Sequence, residues 1–312
     1  MVIHSSILIT VTAFLFTIHD VQEGNVIRQF LPEFKIHYNK EMKPGKEPEI
    51  FASGTDNEEY IARDFILHYK DEIYFTLLKK DYSYAAIYHA VFVEDNWTEP
   101  EIEPFSADTN YKYFEPFISN DGMKFFFVSN CPVNGVEKAE LDFDIWVMDK
   151  IEDGWSKPQN IGPPINTKCL EAFPSVTNDG TLYFVRNDEA MTRSDIYRSR
   201  LIKGKYSEPE ILPVTINGEG DDNAFNACIA PDESCLIFCS YRQKDNFGFS
   251  DYYVSFRDED DNWSEAINMG EKFNSPGYEV SLHFYRNRNL LIYSRDDLVK
   301  FIGFAALSEI TN

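Results

Sequence analysis

Four stretches of this chain repeat one pattern: EPFISNDGMKFFFVSN from Glu115, EAFPSVTNDGTLYFVRN from Glu171, NAFNACIAPDESCLIFCSYR from Asn223 and EVSLHFYRNRNLLIYSRD from Glu279. Each is a short apolar run, a turn and a second apolar run; in the first three the turn is built on Asn-Asp-Gly or Pro-Asp-Glu. The openings at 115, 171, 223 and 279 step by 56, 52 and 56 residues. A fixed period of this size, filled with strands, reads as four-stranded sheets stacked in a ring, a β-propeller. The turn chemistry agrees, because Asn, Asp and Gly tolerate the positive φ that a tight hairpin demands.

Further signals recur in register. An Asp leading an apolar pair follows each hairpin: Asp144-Ile145-Trp146, Asp195-Ile196-Tyr197 and Asp251-Tyr252-Tyr253. A polar turn with an aromatic comes next, at Gly154-Trp155-Ser156, Lys205-Tyr206-Ser207 and Asn262-Trp263-Ser264, before a short closing strand such as Glu210-Ile211-Leu212. A looser unit opens at Glu59, again 56 residues before Glu115. Five inner strands therefore open near 59, 115, 171, 223 and 279. A sixth blade would need another inner hairpin within 25–58, where none is visible, so five blades are expected and six is the alternative. The fifth unit runs out after about three strands, leaving an open sheet edge. Lys46-Glu47-Pro48-Glu49-Ile50-Phe51 looks like the closing strands of the other units and is expected to complete that blade and close the ring.

These repeats resemble the TolB-type, WD-like β-propeller family over roughly residues 47–305. The resemblance rests on the hairpins Ser119-Asn120-Asp121-Gly122, Thr177-Asn178-Asp179-Gly180 and Ala230-Pro231-Asp232-Glu233, each followed by its Asp-apolar-apolar strand. It implies a single all-β domain and a periplasmic or secreted address. It implies no one activity, because the family is defined by scaffold residues.

Composition narrows the partners. With 29 Lys and Arg against 52 Asp and Glu, the formal net charge is −23. Such a surface repels phosphate backbones and anionic headgroups, which argues against nucleic acid and membrane partners. Peptides, neutral saccharides or divalent ions are compatible, and plain solubility of a monomer is the simpler meaning. The apolar run Ile7–Ile18 suits a signal-peptide core, so residues 1–24 are expected to be a signal peptide, 25–45 an extension and 46–312 the propeller. An extra strand is the alternative for that run. Five cysteines are an odd number for a secreted chain. A hairpin turning at Pro231–Ser234 sets Ala230 opposite Cys235, Cys228 opposite Ile237 and Asn226 opposite Cys239, which makes the three thiols small buried groups between blades.

Inner strands of a propeller line its channel, so Glu59, Glu115, Glu171, Asn223 and Glu279 are candidates to ring one mouth. There they would hold sugar hydroxyls or a cation, Ca²⁺ being the ion that oxygen ligands suit. Alternatively, each caps its strand. Arg63, Arg186 and Arg242 could clamp a ligand carboxylate or pair with the surplus acids, and the Asp ring is expected to tie each third strand to a turn. His68, His89 and His283 lie in blades with no Ser or Cys beside them, and neither Gly-x-Ser-x-Gly nor His-Glu-x-x-His is present. No catalytic residue or cofactor is therefore assigned. The leading expectation is a module that binds a peptide or saccharide at the channel mouth; the alternative is a glycan hydrolase using paired carboxylates.

Overall fold

The computed structural model describes residues 35–38, 43–53, 58–69, 71–139, 141–220, 222–241, 245–285, 289–295 and 298–310. The expected signal peptide and Arg242 lie outside these residues. Among the described residues no helix is long and apolar enough to cross a membrane.

Five antiparallel sheets form a ring, the arrangement of a five-bladed propeller. Blade 1 runs outward through Tyr60–His68, Glu72–Lys79, Ala85–Val93 and Glu101–Ile102. The inner, second and third strands of blade 2 are Tyr113–Ile118, Lys124–Ser129 and Asp144–Ile151; those of blade 3 are Glu171–Val176, Leu182–Asn187 and Ser194–Ser199. Blade 4 begins Ala224–Ile229, Cys235–Ser240 and Asp251–Phe256, and blade 5 begins Leu282–Tyr285, Leu290–Arg295 and Leu298–Gly303. Glu49–Ala52 supplies the fourth strand of blade 5, with Glu49 opposite Phe301 and Ile50 opposite Lys300. The ring thus closes by pairing the two ends of the propeller, as the Lys46–Phe51 segment suggests. Tyr38 and Phe51 stack at 5.1 Å against Phe301 and bury this seam.

Apolar faces of adjacent blades meet and form the core. Cys228, Cys235, Ile237 and Cys239 of blade 4 pack on Leu282, Leu291 and Tyr293 of blade 5, and all five cysteines are free thiols. Cys228 does face Ile237, but Cys239 faces Phe225 rather than Asn226. The cause is a bulge, which inserts one residue into the inner strand and shifts the pairing beyond it.

That bulge recurs. Register slips between Arg63 and Ile66, Phe114 and Phe117, Ala172 and Ser175, and Phe225 and Cys228. At its centre Asp64, Glu115, Phe173 and Asn226 take φ of 57°, 56°, 53° and 54°, and Ser281 of blade 5 takes 63°. Five non-glycine residues in the sparsely populated left-handed region, one per blade, concentrate backbone strain around the axis.

A second repeated device holds the blades to their connecting loops. Asn166, Asn217 and Asn274 each accept a bond from the backbone N–H of Ile145, Ile196 and Tyr252 (3.0, 2.8 and 2.8 Å) and donate one to the carbonyl of the same residue. Ser106 does the same for Ile87. The N–H at this point of the third strand is satisfied in this way, and the same carbonyl also accepts the backbone N–H of Glu103, Ile161, Leu212 or Met269 just past the fourth strand.

Candidate functional site

The four bulges and Ser281 of blade 5 meet at a constriction of the axial channel. Asp64, Glu115, Phe173, Asn226 and Ser281 all line a cavity of about 20 Å³, together with His283. A space of that size holds about one water. Beyond it, toward the hairpin turns, the channel widens to a cavity of about 360 Å³. All five inner strands contribute to its wall, including Ile66, Phe117, Val176, Cys228 and Phe284, and the blade 2 turn Ser119–Gly122 stands at its rim. The wide mouth is therefore at the end of the inner strands, opposite the openings from which the acidic ring was expected to point.

The throat carries charge. Arg63 Nε lies 3.1 Å from Asp64 Oδ2, and Arg63 Nη2 lies 3.5 Å from Glu115 Oε1. Glu115 Oε2 accepts the Phe173 N–H at 2.7 Å. One guanidinium thus faces two carboxylates. Burial dominates at Glu115 and pushes its carboxyl up to about 8, with Asp64 adding to the rise while Arg63 and the Phe173 N–H oppose it. Burial also lowers the His283 imidazole to about 4, so its ring is neutral in the channel wall.

The other expected site residues lie elsewhere. Glu171 is fully buried and is engaged by the N–H and hydroxyl of Thr167 (2.9 and 2.6 Å) and by Arg186 Nε (2.8 Å). Arg186 also donates to the carbonyls of Pro164 and Ile165. Glu279 repeats the arrangement, accepting from the N–H and hydroxyl of Ser275 (3.0 and 2.6 Å). These two acids cap the loop entering their blade. Glu59 is exposed in the turn before blade 1, and Asn223 accepts the Ser194 N–H at 2.7 Å. Of the five openings Glu115 is the one found in the channel wall. The reason is register: Glu115 is at its bulge, whereas Glu171 stands two residues before the bulge at Phe173. Counting seven residues back from Gly122, Gly180 and Glu233 finds Glu115, Phe173 and Asn226, so the hairpin, not the opening acid, is the proper ruler. The Asp ring ties strands to turns and neighbours: Asp144 meets Lys138 and Asn160, and Asp251 accepts the Phe247 N–H and the Asn268 amide.

Sequence reading passed over His68. Its ring is 2% exposed, at the end of the blade 1 inner strand in the wall of the wide cavity. Nδ1 lies 2.6 Å from Glu72 Oε2 across the Tyr69 turn, and that bond holds the Glu72 carboxyl below its ordinary range. Nε2 has no hydrogen-bond partner. Tyr69 covers the ring at 4.1 Å between centroids, with Trp155 at 5.3 Å. A buried acceptor left unmade costs about 1–3 kcal/mol, so its persistence calls for a reason. The signal for it in sequence is a His and a Glu four residues apart around a tight turn, weak alone. Among the described residues no group of three His, Cys, Asp or Glu side chains is arranged to hold a metal ion.

No protein-family model and no curated protein matches the chain. Solved structures do. A glycoside hydrolase aligns with a TM-score of 0.53 at 6% identity, covering 91% of this chain and 95% of its own. The microbial sialidase Hz136 aligns at 0.48 and 13% identity over 77% of this chain and 54% of its own. A structure from a study of two prolyl endopeptidases aligns at 0.39 and 15% identity, with 74% of this chain and 30% of that one covered. The chain thus spans about half of the sialidase and under a third of the peptidase. The likeness to the glycoside hydrolase, at 6% identity, is a likeness of fold, and the fold it supports is the β-propeller.

Proposed function

We propose that this propeller is a binding module that takes a neutral saccharide or similar polyol into the wide cavity at its hairpin end. The observation that carries the reading is that cavity. It measures about 360 Å³, is walled by all five blades, and mixes aromatic surface (Tyr69, Phe117, Phe284, Tyr285) with a few polar groups (His68, Asp121). Ligand pockets have this size and lining. Sugars offer apolar C–H faces to the rings and hydroxyls to the acceptors, and a net charge of −23 disfavours anionic ligands. A peptide is the competing ligand and is distinguished in the same assay.

Binding is favoured over glycan hydrolysis by the position of the carboxylates. The channel's neighbouring acids, Asp64 and Glu115, share Arg63 in a throat with room for about one water, where a glycosidic bond does not fit. The repeat pattern and the apolar Ile7–Ile18 run support a TolB-like module secreted to the periplasm. Calcium belongs in the screen because the opening acids suit it as a residue type.

The test is a thermal-shift screen against neutral mono- and disaccharides, envelope peptides and divalent cations. A ligand at a hundred times its dissociation constant adds roughly 2.7 kcal/mol, a shift on the order of 5–10 °C for a domain of this size. A saccharide shift abolished by Phe117→Asp supports the reading. Turnover of a glycan, or a shift with peptides alone, overturns it.

A further inference from the structure

We infer that His68 is the residue that reads the ligand, accepting a hydrogen bond from a ligand hydroxyl at Nε2 once Tyr69 moves aside; this rests on the cavity being the binding site. Three observations converge on it. Glu72 Oε2 sits 2.6 Å from Nδ1, which selects the tautomer with the proton on Nδ1 and leaves a lone pair on Nε2. That lone pair has no partner although the ring is 2% exposed. The ring belongs to the wall of the wide cavity, beside the blade 2 turn: a Cβ built on Gly122 would lie 3.4 Å from Nε2 and 3.2 Å from the Tyr69 hydroxyl. Glycine at this turn, with φ of +74°, is what lets both groups approach so closely.

Tyr69 stands at the surface, where its ring can be displaced. It is 56% exposed, occupies a left-handed turn position with φ of 52°, and its ring is laid over the imidazole with centroids 4.1 Å apart. The Trp155 indole, whose ring centroid lies 5.3 Å from that of the imidazole, is anchored by its bond to the Tyr74 hydroxyl at 3.2 Å and keeps its contact with the imidazole when Tyr69 leaves. A buried acceptor waiting under a displaceable ring discriminates strongly. A ligand lacking a donor at that point displaces Tyr69 and still leaves Nε2 unmatched, whereas one with a hydroxyl there satisfies it. The preferred ligand is accordingly a polyol with a free hydroxyl that donates to Nε2, and its deoxy or O-methyl analogue at that position is rejected.

Two measurements decide it. Long-range nitrogen–proton correlation of the free protein at neutral pH reports the His68 tautomer. A proton on Nδ1 is expected; a proton on Nε2, or on both nitrogens, overturns the assignment without any ligand. Calorimetry with a saccharide found by screening then compares wild type with His68→Phe, which keeps an aromatic ring, and His68→Asn, which restores an acceptor. A loss of tenfold or more in His68→Phe with partial recovery in His68→Asn is expected. Equal affinity in both variants sinks the role of His68 and leaves the cavity reading standing, whereas a wild type that binds no saccharide overturns both. Melting curves of each variant separate lost binding from lost folding, and Tyr69→Ala, expected to speed acylation of His68 by diethyl pyrocarbonate, gives a readout that needs neither substitution of the histidine nor a ligand.

Discussion

Replacing Glu115 by Gln changes how the stability of this propeller depends on pH, and the sign follows from the throat. The folded carboxyl is held up to about 8 from an ordinary 4.5, chiefly because it is buried in a space that holds about one water. A group whose folded value is raised adds stability that is complete below its unfolded value and is lost as pH rises through the folded one. Wild type should therefore weaken between about pH 4.5 and pH 8, on the alkaline side of neutrality as well as the acid side. Each unit of displacement is worth about 1.4 kcal/mol, so the full swing has a ceiling of about 5 kcal/mol. Arg63, at 3.5 Å, recovers part of this when the carboxylate forms. Gln keeps a carbonyl oxygen for the Phe173 N–H and does not titrate, while Asp64 continues to balance Arg63. Denaturant melts of wild type and Glu115→Gln across this range give the difference directly. Wild type should be favoured at the acid end and should lose several kcal/mol relative to the variant by about pH 9. A difference that stays flat within about 1 kcal/mol across that span refutes the burial argument.

Other consequences are as direct. His283, held near 4 by burial, contributes stability that is present above its ordinary 6.5 and lost as pH falls toward 4; His283→Gln should remove that acid-side slope in the same melts. Asn166→Ala leaves the N–H of Ile145 without a partner, while its carbonyl still accepts the Ile161 N–H, and should cost about 1 kcal/mol or more in a urea titration, whereas a cost near zero means that water replaces the side chain. Native protein should show at most two thiols to an exchange reagent, Cys131 and Cys169, and five after unfolding; rapid reaction of a third contradicts the packing of Cys228, Cys235 and Cys239 between blades.

Much of the architecture was legible because it repeats. Asn-Asp-Gly turns and the Asp-Ile-Tyr strands recur with the blade, and the Glu49-Ile50 segment matches the closing strands of other blades although it pairs with Leu298–Gly303 only when the ring closes. The bulges were not legible. Asp, Glu, Phe, Asn and Ser all occupy the left-handed position, and of these Asn and Asp are the types enriched there. These positions meet one another only in the assembled ring, where all five line the same small cavity. That hidden residue displaced the alignment of the openings, so Glu171 and Glu279 read as channel acids although they cap loops. The loop asparagines Asn166, Asn217 and Asn274 were readable in principle, since each follows Ile or Phe in the segment that enters the next blade. The Glu72–His68 pair was hidden for another reason: two residues around a turn carry no signal until the cavity beside them is known.

A ligand that enters at the hairpin end of the channel must perturb the walls of the wide cavity. The most direct test is to titrate isotopically labelled protein with a saccharide from the screen and follow the backbone amides. Shifts should gather at Ile66–Tyr69, Phe117–Gly122 and His283–Tyr285, the walls of the wide cavity. Shifts gathered instead at Glu59, Asn223 and the other strand openings, or spread along the outer strands, would contradict it.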